Sequence, residues 1–137
     1  CKKHLDKPGA MDMQKLNVFI HSIPWWELVP SGLAGMRNLV ISGGGEETEA
    51  NYVTAAAPHS GSLLIAYLPP AHDKIISINT RGMDKRVVAS WFDPTNGKYI
   101  GIPGSPFTNS GELKFIQENV NSRGEKDWVL VLSSEKP

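Results

Sequence analysis

The chain is short of most things that would identify an enzyme or a nucleic-acid binder at sight. It has one cysteine, Cys1, so no intrachain disulfide can form and the fold must hold without one. It has no surplus of either charge: Lys plus Arg is 14 and Asp plus Glu is 14. Binding of nucleic acid, or of a membrane through a polybasic patch, needs a positive excess, so neither is expected. No apolar run approaches the roughly 18 residues of a membrane span, and the first residues do not read as a signal peptide. The four histidines, His4, His21, His59 and His72, lie far apart and form no HxH or HExxH spacing, so neither a metal site nor a cofactor is expected. No Gly-x-Ser-x-Gly elbow occurs. Gly43-Gly44-Gly45 lacks the Gly-Lys-Ser/Thr ending of a phosphate loop and runs into Glu46, Glu47 and Glu49, which would repel phosphate. A calcium site on those three carboxylates matches no known loop spacing, and the stretch reads as a solvated turn.

What is present points to a β protein. At 137 residues the chain fits one domain with a real core. The 13 glycines and 10 prolines predict many turns. The stretch Val87 to Gly97, VVASWFDPTNG, sets the organisation. Side chains alternate along a strand, so Val87, Ala89 and Trp91 take one face and Val88 and Phe92 the other. A strand apolar on both faces is buried on both sides. Asp93-Pro94-Thr95-Asn96-Gly97 then makes a hairpin corner, with Pro94 presetting one dihedral and Asn96-Gly97 tolerating positive φ.

Before this, Asp6 can cap a helix and Pro8 suits its first turn. Met13, Leu16, Phe19, Ile20 and Ile23 recur at three- and four-residue spacing and give that helix one apolar face. Pro24 ends it near Ser22. Trp25 and Trp26, between Pro24 and Pro30, make a stiff aromatic segment that either pins the helix or serves as an exposed stacking platform. From residue 51 strands recur every 8 to 12 residues: 51–57, 62–68, 75–79, 87–92, 99–102, 113–116 and 127–133, with 38–42 as an optional eighth. Central strands with two apolar faces need cover on both, which predicts two packed antiparallel sheets.

The carboxylates Glu27, Asp73, Asp84, Asp93, Glu112 and Asp127 all fall at strand ends or in loops, and nothing pairs two of them as a glycosidase would require. Asp93 reads as the cap of its own turn and Asp127 as the end of a loop. No catalytic residue is nominated. Flat apolar rings suit sugar C–H groups or proline rings, which makes Trp25, Trp26, Tyr52, Tyr67, Trp91, Tyr99 and Trp128 candidates. Trp91 and Trp128, with alternating apolar neighbours, read as core. Tyr99, just after the hairpin turn, reads as exposed. The ligand-binding candidates are therefore Trp25, Trp26 and Tyr99.

Several pieces resemble one family when taken in order. Leu5-Asp6-Lys7-Pro8-Gly9-Ala10-Met11-Asp12-Met13 and Ser22-Ile23-Pro24-Trp25-Trp26-Glu27-Leu28-Val29-Pro30 resemble the end of the catalytic barrel in apiosidase-like glycoside hydrolases. Tyr52-Val53-Thr54-Ala55-Ala56, Leu64-Ile65-Ala66-Tyr67-Leu68-Pro69, Ala89-Ser90-Trp91-Phe92-Asp93-Pro94 with Gly97, and Asp127-Trp128-Val129-Leu130-Val131-Leu132 are similar to the small C-terminal module of the same proteins, known as a collagen-binding domain of a collagenase. The resemblance implies residues 1–36 as a helix and linker from the tail of a barrel domain, and 37–137 as a β-sandwich module. It implies a non-catalytic accessory or binding module, because the family's catalytic carboxylates lie on barrel strands upstream. Collagen is the implied ligand. A polysaccharide, or a purely structural role against a glycosidase barrel, are the alternatives. The expected fold is thus mainly β, a two-sheet antiparallel β-sandwich of seven or eight strands preceded by one N-terminal α-helix. The expected setting is a secreted protein or the bacterial cell surface. Cys1 reads either as the lipid-bearing first residue of a mature lipoprotein or as a cut within something longer. A module without its barrel is expected to form a homodimer through the helix face.

Overall fold

The computed structural model describes residues 28–33, 35–43, 52–93 and 95–134. The expected N-terminal helix, with its dimer face, and the acidic stretch Glu46 to Glu49 lie outside them. The described chain is built of strands: β1 (Val29–Pro30), β2 (Val40–Ser42), β3 (Thr54–Ala57), β4 (Leu63–Leu68), β5 (Ile75–Asn79), β6 (Arg86–Asp93), β7 (Lys98–Gly101), β8 (Phe107–Thr108), β9 (Glu112–Ile116) and β10 (Trp128–Ser134). They form two antiparallel sheets. The large one has the order β1-β3-β4-β10-β6-β7, with β8 also on β6, and the small one has the order β2-β5-β9.

The sandwich expected from the sequence is therefore present, and the long strands fall where the alternation places them. Two short strands are additional. Val29–Pro30, read as part of the aromatic segment, pairs with Ala57 and Ala56. Pro30 has no N–H to offer a ladder, and β1 sits at the sheet edge, where none is required on its outer side. Phe107–Thr108, between the expected strands 99–102 and 113–116, pairs with Val87 and Arg86. Two-residue strands leave too little periodicity to be seen in sequence.

The inner face of the large sheet carries Ala55, Leu64, Ala66, Leu68, Val87, Ala89, Trp91, Trp128, Leu130 and Leu132. It packs on Leu39, Ile76, Ile78 and Phe115 from the small-sheet side. Rings tie the layers together: Phe115 meets Trp91 edge-on at 6.5 Å and Phe107 edge-on at 5.9 Å, and Trp91 lies 6.3 Å from Trp128. Trp91 and Trp128 are buried, as their neighbours in sequence predicted. The other face of the large sheet holds a second apolar cluster of Leu28, Ala56, Leu63, Ile65, Phe92 and Val129, with Tyr67 and Val131 against it. Thus β4, β6 and β10 are apolar on both faces because both faces are covered.

The hairpin corner is built as its residues suggest. The Gly97 amide donates to the Asp93 carbonyl at 2.9 Å, and Gly97 has φ of +74°. The Lys98 amide donates to Asn96 Oδ1 at 2.9 Å. Asp93 holds more than its own turn. Its Oδ1 accepts from the Thr95 amide (2.8 Å) and hydroxyl (2.5 Å), and its Oδ2 accepts from the Ser122 amide (2.8 Å). It thereby fastens the hairpin to the loop before β10.

Candidate functional site

Strand register assembles an aromatic row on the outer face of the large sheet. Tyr67 of β4 faces Val129 of β10, Val129 faces Phe92 of β6, and Phe92 faces Tyr99 of β7. Cross-strand partners share a face, so these four side chains stand in one line. Three interstrand steps of about 4.8 Å give roughly 14 Å from Tyr67 to Tyr99 across the sheet. Phe92 and Val129 are buried and Tyr67 is half-buried. Tyr99 is 48% exposed and its ring leans on Phe92, with centroids 5.0 Å apart at 60°.

Each end of the row has its own electrostatics. Burial pushes the Tyr67 phenol up to about 12, helped by the charge of Asp127, by a hydrogen bond to that carboxylate and by the charge of Glu125. Tyr67 is therefore a neutral donor at any physiological pH. Asp127 also accepts from Asn121 Nδ2 at 2.8 Å, which anchors it beside the loop. Burial raises the Tyr99 phenol too.

Among the described residues, Tyr99 lies on an edge strand. β7 has β6 on one side, and all four of its residues, Lys98, Tyr99, Ile100 and Gly101, are exposed. Ile100, 52% exposed, is opposite the buried Trp91 and so turns toward the inner side of the edge. Lys98 stands beside the turn. The edge thus presents a ring, an aliphatic group and a cation over four residues.

Of the ligand-binding candidates read from sequence, Tyr99 is described and exposed, whereas Trp25 and Trp26 lie outside the described residues. Tyr67 was legible only as one aromatic among seven. Its place in line with Tyr99 depends on β10 lying between β4 and β6, which no local pattern reveals. Of the carboxylates weighed for catalysis, Glu27 lies outside the described residues. Asp93 is held at about 2: burial alone would raise it, but hydrogen bonds from Thr95 and Ser122 outweigh burial. That suits an anchor and not a proton donor. Among the described residues no group of three or more His, Cys, Asp or Glu side chains is gathered to hold a metal.

Comparison with known proteins agrees with this architecture. A solved structure described as "Glycoside hydrolase" superposes with a TM-score of 0.66 at 22% identity, which shows the fold alone. The match covers 97% of this chain and 27% of that one, so the chain spans about a quarter of that protein's length. No curated protein matches the chain. The profile of one family, described as "Putative collagen-binding domain of a collagenase", matches residues 37–133, which run from just before β2 into β10. The match takes in well over half of the chain, which therefore belongs to that family.

Proposed function

We propose that the chain is a non-catalytic binding module whose ligand is collagen, engaged along the β7 edge. One observation carries the reading: Tyr99 stands half-exposed at the end of an aromatic row, on the edge strand of the described sheet, between Lys98 and Ile100. Collagen is a rod of polyproline-type chains with pyrrolidine rings on its surface and a fully solvated backbone. Aromatic rings on a firm base are the usual seat for such rings. Phe92 supports the Tyr99 ring from below, so little side-chain freedom is lost on binding. The family description names the same ligand class. Such a ligand calls for a secreted or surface-held protein.

The test is adsorption to immobilised fibrillar collagen, with gelatin and a pectic polysaccharide as parallel surfaces. Saturable binding to collagen is expected. Tyr99→Ala should weaken it about tenfold with the unfolding midpoint little changed, because the ring is half in solvent. Trp25→Ala and Trp26→Ala ask whether the tryptophan segment contributes. Binding to none of the surfaces, or to the polysaccharide alone, would overturn the collagen reading.

A second reading, a structural module that packs on a glycosidase barrel, is favoured by a different surface. Ile75 of β5 and Ile116 of β9 are cross-strand partners, 49% and 58% exposed. Two aliphatic side chains side by side in water suit a contact surface. Protection of amides 75 and 116 from hydrogen exchange when a barrel domain is added would support it.

A further inference from the structure

The opposite end of β6 from the collagen edge carries a groove that the collagen reading leaves unused. It lies between the β5–β6 loop and the loop before β9, and Arg81, Met83, Asp84, Lys85, Asn109, Ser110 and Gly111 line it. Its volume is about 310 Å³, at the small end of ligand sites, which run roughly 300–1,000 Å³.

Asn109 makes the groove rigid. Its Nδ2 donates to the carbonyls of Thr80 (2.8 Å), Met83 (3.0 Å) and Asp84 (2.9 Å). Its Oδ1 accepts from the Thr80 hydroxyl (2.6 Å) and the Gly111 amide (2.8 Å). Its own amide donates to the Lys85 carbonyl at 2.7 Å. One side chain thus holds both loops, and the loop carbonyls it binds are turned inward. Gly111, at φ of +98°, leaves room that the Arg81 stem occupies: Arg81 Cγ is 3.5 Å from where a Cβ would stand. Arg81 Nε lies 3.8 Å from the same point, so the stem packs on Gly111 at the groove wall. Lys85 and Asp84 are exposed on the same rim, and Met83 closes the base.

We infer that this groove binds an anionic sugar residue, a uronate within an oligosaccharide. The chemistry selects it. Arg81, Lys85 and the single carboxylate of Asp84 line the groove, so a single negative charge is favoured, and Arg81 offers the planar fork that a carboxylate fits. Asp84 accepts hydroxyl protons but repels a second anion, which disfavours polyanions such as acidic peptides. Because the Asn109 network exists before the ligand arrives, little ordering is needed on binding. The site stands apart from the collagen edge. Arg86 and Phe92 are six residues apart on β6, roughly 20 Å, so the two readings fail or succeed separately.

The test is a titration of the 15N-labelled chain with a trisaccharide of two galactose residues and one galacturonic acid, a monoanion, followed by amide shifts and calorimetry. Saturable binding is expected, with shifts centred on residues 80–85 and 109–111. Arg81→Ala and Lys85→Ala, both exposed positions, should each weaken it about tenfold, and Tyr99→Ala should leave it unchanged. Asp84→Asn should narrow the preference for the trisaccharide over a triglutamate peptide. The inference is overturned if no saturation is seen, if a neutral galactose trisaccharide binds equally well, if the peptide binds more tightly, or if the shifts centre elsewhere.

Discussion

Asp93 shows how one side chain can carry a corner of the fold. It is 3% exposed, yet both its oxygens accept from Thr95 and Ser122, so the buried charge is met on each side. Those bonds hold the carboxyl at about 2, below its ordinary 3.8. The sign of the pH effect follows. A carboxyl depressed in the folded state adds stability that is complete above its unfolded value, about 4, and is lost as pH falls toward about 2. Asp93→Asn removes that term. In urea titrations the gap in stability between the parent and Asp93→Asn should be widest near neutral pH and should narrow below about pH 4. A gap independent of pH would mean that the side chain acts through shape alone. The corner itself was legible in sequence, since Asp, Asn and Gly at these positions specify a turn. The reach of Asp93 to Ser122, 29 residues away, was not.

Turns are the elements in which space and dihedral angle must be separated. Gly61 and Gly97 both adopt left-handed backbone, at φ of +78° and +74°. They differ in surroundings. A Cβ on Gly61 would stand 1.8 Å from the Gly82 carbonyl oxygen, whereas one on Gly97 would meet nothing within 4 Å. Gly97→Ala should cost only the dihedral strain, about 1 kcal/mol. Gly61→Ala must also part the β3–β4 turn from the β5–β6 loop, and should cost more than about 3 kcal/mol. Equilibrium unfolding of the two variants checks the order, and equal costs would remove the steric argument. The strands were more legible than the turns that join them: alternation located β3, β4, β5, β6, β7, β9 and β10 to within a few residues. β1 and β8 escaped because two residues have no period.

For the whole molecule, the decisive contacts run between sheets. Trp91 lies against both Trp128 on the neighbouring strand and Phe115 on the opposite sheet. Trp91→Ala should cost about 3–5 kcal/mol, the usual range for a buried aromatic. Single domains are stable by only about 5–15 kcal/mol, so the midpoint in urea should fall sharply with the slope retained. A loss below about 1 kcal/mol would show that the ring is not where the layers are joined.

By itself the sequence determined the fold class, the faces of β4, β6 and β10, the Asp93–Gly97 corner, the burial of Trp91 and Trp128 and the exposure of Tyr99. Each of these rests on spacing within a few residues or on the chemistry of one turn. The tertiary structure alone decided which strands are neighbours. That order stands Tyr67, Val129, Phe92 and Tyr99 in one row, puts β7 at the edge of the described sheet, and brings Asn109 to the loop of Arg81 and Lys85. Strand order is set by which apolar faces bury one another across long chain separations, and local periodicity carries no record of it.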